Sequence, residues 1–242
     1  MTVQMFLDDA YIRDAEASVI AHTPEGGVVL DASIFYATGG GQPGDSGTLS
    51  WTGHKLTIAT CVKIKDSKDG HTALVPAEPA PLPAIGTRVT QSLDWERRHS
   101  LMRVHTALHL LSVVIPLPVS GGSISVGKGR LDFDMPDAPD DKDALERSLN
   151  ALIELDYVVS QDWISDDELR ANPQLVKTMS VMPPMGAGRV RLVRIGNEAR
   201  QIDLQPCGGT HVARTSEIGR VRLGKIEKKG KQNRRVYLHL DD

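Results

Sequence analysis

Four side chains suited to binding a borderline-soft metal ion fall into two short motifs, His105-Thr106-Ala107-Leu108-His109 and Cys207-Gly208-Gly209-Thr210-His211. In the first, the imidazoles stand at i and i+4, which on a helix places them one turn apart on the same face. The second pairs a thiol with a third imidazole across a turn containing two glycines. Three nitrogens and one sulfur are the set that a tetrahedral zinc ion prefers. We therefore expect Zn2+ as cofactor, with His105, His109, Cys207 and His211 as its candidate ligands. Whether His211 binds the ion or stands beside it stays open from spacing alone. Four protein ligands suit a structural site, whereas a catalytic one keeps a position open.

Three familiar zinc chemistries do not fit the spacing. A metalloprotease helix carries a Glu directly after its first His, and Thr106 stands there instead. A nucleobase deaminase pairs H-x-E with P-C-x-x-C; Pro206-Cys207 begins the second half, but the other Cys and the H-x-E are missing. A zinc finger uses closer ligand pairs in a much smaller unit. A metal-free alternative makes Cys207 a thiolate nucleophile activated by His211, which leaves the His105/His109 pair without a role. A second stretch, Gly39-Gly40-Gly41-Gln42-Pro43-Gly44-Asp45-Ser46-Gly47, allows close backbone approach to a ligand, with the Gln42 amide to orient a carbonyl, hydroxyl or water.

These residues need elements to hold them. Leu101, Val104, Leu108, Leu111 and Ile115 recur at helical spacing, with Met102, His105, His109 and Ser112 on the adjacent face, and Pro116 and Pro118 end the run. Residues 1–93 read as an all-β unit of barrel or sandwich type, with short runs such as Gly27-Val28-Val29-Leu30 and Leu56-Thr57-Ile58-Ala59 between Gly, Pro and Asp punctuation. Residues 94–242 read as α+β. A hairpin is expected through Arg130-Leu131-Asp132-Phe133-Asp134. A helix from about Asp141 should turn Leu145, Leu149, Leu152 and Leu155 inward. A strand is expected at Tyr157-Val158-Val159, and a capping box at Ser165 and Glu168 opens a short helix stopping near Pro173. Two pairs of strands flank the Cys207 turn.

The chain of 242 residues, 40% hydrophobic and 24% charged, has the composition of a soluble globular protein. Two cysteines build no disulfide framework, and with no secretory signal or membrane span in the sequence a cytoplasmic location is expected. The net charge of −3 argues against a generally basic nucleic-acid coat, but it hides an uneven distribution. Residues 137–168 hold eleven acids against two bases, whereas residues 213–242 hold nine Lys or Arg against four acids. That basic segment is a candidate phosphate-binding surface.

Together the Gly-rich stretch, Asp94-Trp95-Glu96-Arg97-Arg98, the H-x-x-x-H and C-x-x-x-H motifs, Arg130-Leu131-Asp132-Phe133 and Glu217-Ile218-Gly219 resemble the free-standing alanyl-tRNA editing proteins of the AlaX group and the matching domain of alanyl-tRNA synthetase. The resemblance covers nearly the whole chain and is closest to the medium-length form. It implies a β-barrel-like domain beside an α/β editing domain with an antiparallel sheet and a zinc site. It also implies an ATP-independent hydrolase, acting in trans, that chiefly cleaves serine from mischarged tRNA(Ala), with glycine a further candidate, and with no membrane and no obligatory protein partner.

By the same resemblance, His105, His109, Cys207 and His211 match the metal-site residues. Thr106 and Gln42 match catalytic-site residues near the amino acid and the terminal ribose, with Gly40 and Gly41 beside them. A site that hydrogen-bonds the serine hydroxyl rejects alanine, because its own polar groups would be left unpaired; Thr106 is the candidate for that role. Arg214, Arg222, Lys225, Lys228, Lys229, Lys231, Arg234 and Arg235, with Arg220, Arg97 and Arg98, are the candidate phosphate contacts. Two departures from the family pattern stand out: Ala37 where Pro is common, and Leu108 where a more polar residue is common. The competing readings are a non-catalytic tRNA- or RNA-binding module clasped by a structural zinc, and a general metal-dependent esterase.

Overall fold

Short β-branched runs with glycine turns between them leave unpaired strand edges, which closure into a barrel removes. The first unit takes that solution. In this computed structural model, which describes residues 2–65, 70–139, 141–177 and 188–241, the chain divides into two compact units, Met1–His99 and Ser100–Asp242. The first contains β1 (Val3–Gln4), β2 (Asp14–His22), β3 (Val28–Leu30), β4 (Ala32–Ser33), β5 (Gly47–Trp51), β6 (His54–Lys63), β7 (Thr72–Pro76) and β8 (Arg88–Leu93). Strands β2-β3-β7-β6-β5-β8 close an antiparallel barrel, and β1 pairs with β4 in parallel beside it. Val19, Leu30, Ile34, Phe35, Leu49, Ile58, Leu74 and Val89 form its buried core.

The Gly-rich stretch is a compact loop in this unit. Gly39 and Gln42 exchange backbone hydrogen bonds at 3.1 and 2.9 Å, with Gly40 and Gly41 at φ +55° and +81° between them. Two positive φ values are what a tight type I′ turn demands, and glycine adopts them without steric cost. At Gly44 a Cβ would sit 2.1 Å from the Cys61 carbonyl oxygen, so a side chain cannot be accommodated there. Asp45 anchors the loop: its carboxylate accepts from the Tyr36 backbone N–H at 2.6 Å and from the Arg98 guanidinium. Arg98 also donates to the carbonyls of Ile34 and Ala10, and both charged side chains are fully buried. Arg98 is therefore unavailable for a phosphate, contrary to the sequence expectation. Removing a buried charge from its partner costs about 3–5 kcal/mol, so this pair is committed to structure.

Helix α1 (Trp95–Val114) opens at Asp94, whose carboxylate accepts from the Arg97 backbone N–H at 3.2 Å. The unit boundary falls within its second turn. From Leu101 to Ser112 every residue except Arg103 is buried. A helix covered all round carries no polar stripe, so the expected apolar stripe is only one side of a core helix.

The second unit continues with β9 (Val119–Ser125), β10 (Lys128–Asp134), α2 (Lys142–Glu154), β11 (Val159–Ser165), α3 (Asp166–Ala171), β12 (Arg189–Gly196), β13 (Gln201–Pro206), β14 (Val221–Lys228) and β15 (Asn233–Leu240). Two antiparallel sheets result, ordered β14-β15-β10-β9 and β11-β12-β13. Among the described residues the chain is thus mostly β with three α-helices.

Two local expectations need correction. On α2 the buried residues are Leu149 and Ile153, whereas Leu155 is 52% exposed. The helix ends at Glu154 and the backbone turns through Asp156 at φ +51°, which carries Leu155 off the inward face. The strand expected at 157–159 instead starts at Val159 and runs to Ser165. Its polar residues Ser160, Gln161 and Asp162 concealed it, since β12 pairing rather than alternation specifies it. The Ser165/Glu168 capping box is present, with reciprocal bonds of 3.1 and 2.7 Å.

Candidate metal centre

Helix α1 presents His105 and His109 one turn apart, with ring centroids 5.3 Å from each other. Strand β13 delivers Cys207 directly after Pro206, where its N–H still bonds the Arg191 carbonyl at 3.1 Å. The chain then turns through Gly208 and Gly209 to place His211 4.2 Å from His105 and 4.6 Å from His109, centroid to centroid. Arg191 clamps that turn: its guanidinium donates to the carbonyls of Cys207 and Gly209 at 3.2 and 2.7 Å and to Gln161 at 2.6 Å.

One ligand-type atom from each of His105, His109, Cys207 and His211 lies within 4.8 Å of all the others. Cys207 Sγ is 3.2 Å from His211 Nε2 and 3.5 Å from His105 Nε2. Zinc bond lengths of about 2.0–2.3 Å would set neighbouring ligand atoms roughly 3.3–3.6 Å apart around a tetrahedron. The donor set and the two sulfur–nitrogen spacings suit a zinc ion, and this group could hold a metal.

Electrostatics agree with that chemistry. Burial opposes ionisation of Cys207, but the charge of His105 and hydrogen bonds from His105 and His109 outweigh it and hold the thiol well below its ordinary value. Burial, reinforced by His105, holds His211 in the neutral form that ligation requires. Burial would likewise lower His109, yet Asp203 and Cys207 raise it to about 9. Asp203 resists its own desolvation through His109 and Lys177, which hold it down to about 2.

Asp203 and Gln205 belong to the stretch Asp203–Val212 that carries the family resemblance, but no role was anticipated for either, nor for Lys177. Asp203 Oδ2 is 2.9 Å from His109 Nδ1, while Lys177 Nζ bonds Oδ1 and Gln205 Nε2 bonds Oδ2 at 2.7 Å. Asp203 precedes Cys207 by four residues, so the same-face alternation of β13, beside its place in that stretch, is the signal that could have flagged its role. Thr106 is fully buried beside His211, with Nδ1 of that ring 3.1 Å from its hydroxyl. Gln42 is buried and Gly40 and Gly41 are exposed, all within the barrel unit.

The basic C-terminal residues separate by partner. Arg214 pairs with Asp156, Arg235 with Asp132, and Lys225 and Lys229 with Glu227. Arg220 lies 3.8 Å from Asp241. Arg234 is buried, bonding the carbonyls of Gly230, Asn233 and Pro136. Arg222, Lys228 and Lys231 are exposed and form no ion pair among the described residues. Strand register sets Arg222, His239 and Lys128 side by side across β14, β15 and β10. Burial, then the charges of Arg222 and Lys128, hold His239 below its ordinary value.

Comparison with known proteins bears on the whole chain. Residues 6–97 match the family described as tRNA synthetases class II (A), and residues 190–237 match the threonyl and alanyl tRNA synthetase second additional domain, a span that holds Cys207 and His211. The alanyl-tRNA editing protein AlaX-M of Methanosarcina acetivorans is 32% identical over 249 residues, covering 100% of both chains. The chain belongs to the AlaX-M family. The AlaX-M protein of Methanosarcina barkeri is 31% identical over 253 residues, again with 100% of both chains covered. The alanine–tRNA ligase of Pyrobaculum arsenaticum is 31% identical over 236 residues, covering 94% of this chain and 25% of the ligase. The AlaX-M relatives thus match this chain end to end, whereas it spans about a quarter of the ligases' length.

Proposed function

We propose that this AlaX-M family member is a zinc-dependent deacylase that hydrolyses the aminoacyl ester of mischarged tRNA(Ala), seryl-tRNA(Ala) first and glycyl-tRNA(Ala) second. The observation that carries the reading is the convergence of His105, His109, Cys207 and His211 in a chain that aligns throughout with proteins named for alanyl-tRNA editing. The ester is already an activated bond, so its hydrolysis needs a positioned water and a polarised carbonyl rather than a strong nucleophile. A zinc ion in this set would supply Lewis-acid polarisation. His105 and His109 hold their side of the site through the buried helix, and Cys207 and His211 hold theirs through the Arg191-clamped turn. Arg222, Lys228 and Lys231 are the phosphate contacts, because their charges are not spent on internal carboxylates. Gly40, Gly41 and Gln42 are assigned to substrate binding on resemblance to the family.

The test is deacylation in trans of serine-, glycine- and alanine-charged tRNA(Ala), with wild type beside Cys207→Ala and a chelator-treated sample. Fast loss of serine with alanine spared, abolished by the substitution and by chelation and restored to the chelated wild type by Zn2+, is expected. Tight tRNA binding with every ester intact would overturn the reading in favour of a binding module.

A further inference from the structure

We infer that Thr106 and Asp203 are positioning residues of the metal centre, each taking the Nδ1 hydrogen of one imidazole so that its Nε2 faces the ion. The inference rests on the zinc reading above and reassigns Thr106 away from the amino acid's side chain. A threonine hydroxyl has one hydrogen to donate and two lone pairs. Thr106 donates to the Met102 carbonyl at 3.0 Å, one helical turn back. Its lone pairs face His211 Nδ1 at 3.1 Å and the Val212 backbone N–H at 3.3 Å. With its surface fully buried, nothing remains with which to read a serine hydroxyl.

The tautomer of His211 follows. Val212 N–H and His211 Nδ1 both approach the hydroxyl oxygen, whose own hydrogen is directed to Met102, so Nδ1 must carry hydrogen and Nε2, 3.2 Å from Cys207 Sγ, carries the lone pair. The same argument fixes His109. An ionised carboxylate only accepts, so the 2.9 Å contact makes Nδ1 the donor and leaves Nε2 for the ion. Gln205 Nε2, which gives one of its two hydrogens to Asp203 at 2.7 Å, also lies 3.1 Å from His109 Nδ1, but the 2.9 Å carboxylate contact is the shorter and charge-assisted one and decides the role of Nδ1. Lys177 neutralises the other carboxylate oxygen, so Asp203 can be buried without an unpaired charge. Two of the three imidazoles are thus held in ring plane with Nδ1 engaged before any ion arrives, His109 giving up its Nε2 proton on ligation, which is the arrangement that raises metal affinity.

The experiment is Zn2+ titration of chelator-treated protein against a chromophoric chelator, for wild type, Thr106→Val, Thr106→Ser, Asp203→Ala and Asp203→Asn, with circular dichroism of each metal-free protein. Thr106→Val and Asp203→Ala should bind Zn2+ about 10–100-fold more weakly. Thr106→Ser should bind as wild type, and Asp203→Asn, which keeps an acceptor but loses its charge, should fall between. At saturating Zn2+, Thr106→Val should keep the wild-type ratio of seryl- to alanyl-tRNA deacylation. If Thr106→Val folds poorly, Thr106→Ala removes the same acceptor and is measured in its place. The inference is overturned if Thr106→Val (or Thr106→Ala) or Asp203→Ala binds Zn2+ as tightly as wild type, or if Thr106→Val loses serine preference with affinity intact. A wild type that binds no Zn2+ would instead sink the zinc reading itself.

Discussion

At the scale of single residues, the two cysteines separate by environment. Cys61 lies in the barrel core, where burial pushes its thiol up to about 12. Cys207 is partly exposed, and the imidazoles around it favour the thiolate, the form that alkylates. Chelator-treated protein should therefore take up one equivalent of iodoacetamide at pH 7, on Cys207, and added Zn2+ should protect it. Peptide mass spectrometry locates the adduct; label on Cys61, or no protection by Zn2+, would contradict the assignment. A second residue-level expectation concerns Asp156, which leaves α2 at φ +51° and binds Arg214 through its carboxylate at 2.7 Å and its carbonyl at 2.6 Å. The hydrogen bond from Arg214, then that from Ser216, holds Asp156 down to about 2. A depressed carboxylate stabilises the folded chain above its unfolded pKa near ~4 and loses that contribution as pH falls towards 2. Asp156→Asn keeps a residue that tolerates left-handed backbone. The melting-temperature gap between it and wild type should be present at pH 6 and close as pH falls from about 4 towards 2.

At the scale of elements, the close approach of β10 to α1 at Gly129 should set the height of the histidine pair. Gly129 faces the helix, and a Cβ there would meet Val104 Cγ1 at 2.7 Å and Leu108 Cδ1 at 3.0 Å. Val104 and Leu108 directly precede His105 and His109, so pressure on them should move the candidate ligands. Replacing Gly by Ala normally gains about 0.4–1 kcal/mol through the unfolded chain. Overpacking costs about 1–3 kcal/mol, and it should win here. Gly129→Ala is expected to lower thermal stability and weaken Zn2+ binding together; a stabilised variant with unchanged affinity would show that β10 does not set the helix position. The same contact explains Leu108, which departs from the more polar family pattern: it is buried against β10.

At the scale of the molecule, nucleic-acid binding depends on which charges remain available. Nine basic residues between 213 and 242 suggested a broad patch, but most are paired or buried. The salt dependence of tRNA binding counts engaged phosphates, each contributing about one unit of slope. Arg222→Gln and Lys228→Gln should each lower the slope of log K against log[salt] by about one. Arg235→Gln should leave the slope nearly unchanged while destabilising β10–β15 pairing, since its charge is held by Asp132. Equal slopes for all three variants would remove this division.

The two motifs whose side chains form the His105/His109/Cys207/His211 cluster, the helix bearing the first of them, the β character of the first ninety residues and the Ser165/Glu168 cap were legible in the sequence because each is a local signal. Residue type, helical spacing and turn chemistry act within a few positions and leave a mark there. What tertiary structure decided lies at long range. The Asp203 contact to His109 spans 94 residues and the Thr106 contact to His211 spans 105, and no periodicity encodes such pairs. The same holds for Arg98, a candidate phosphate contact by charge that is buried on Asp45 across 53 residues. A sequence displays which groups can bind metal or phosphate; whether a hydroxyl or a guanidinium is still free to do so depends on hydrogen bonds that only the folded chain completes.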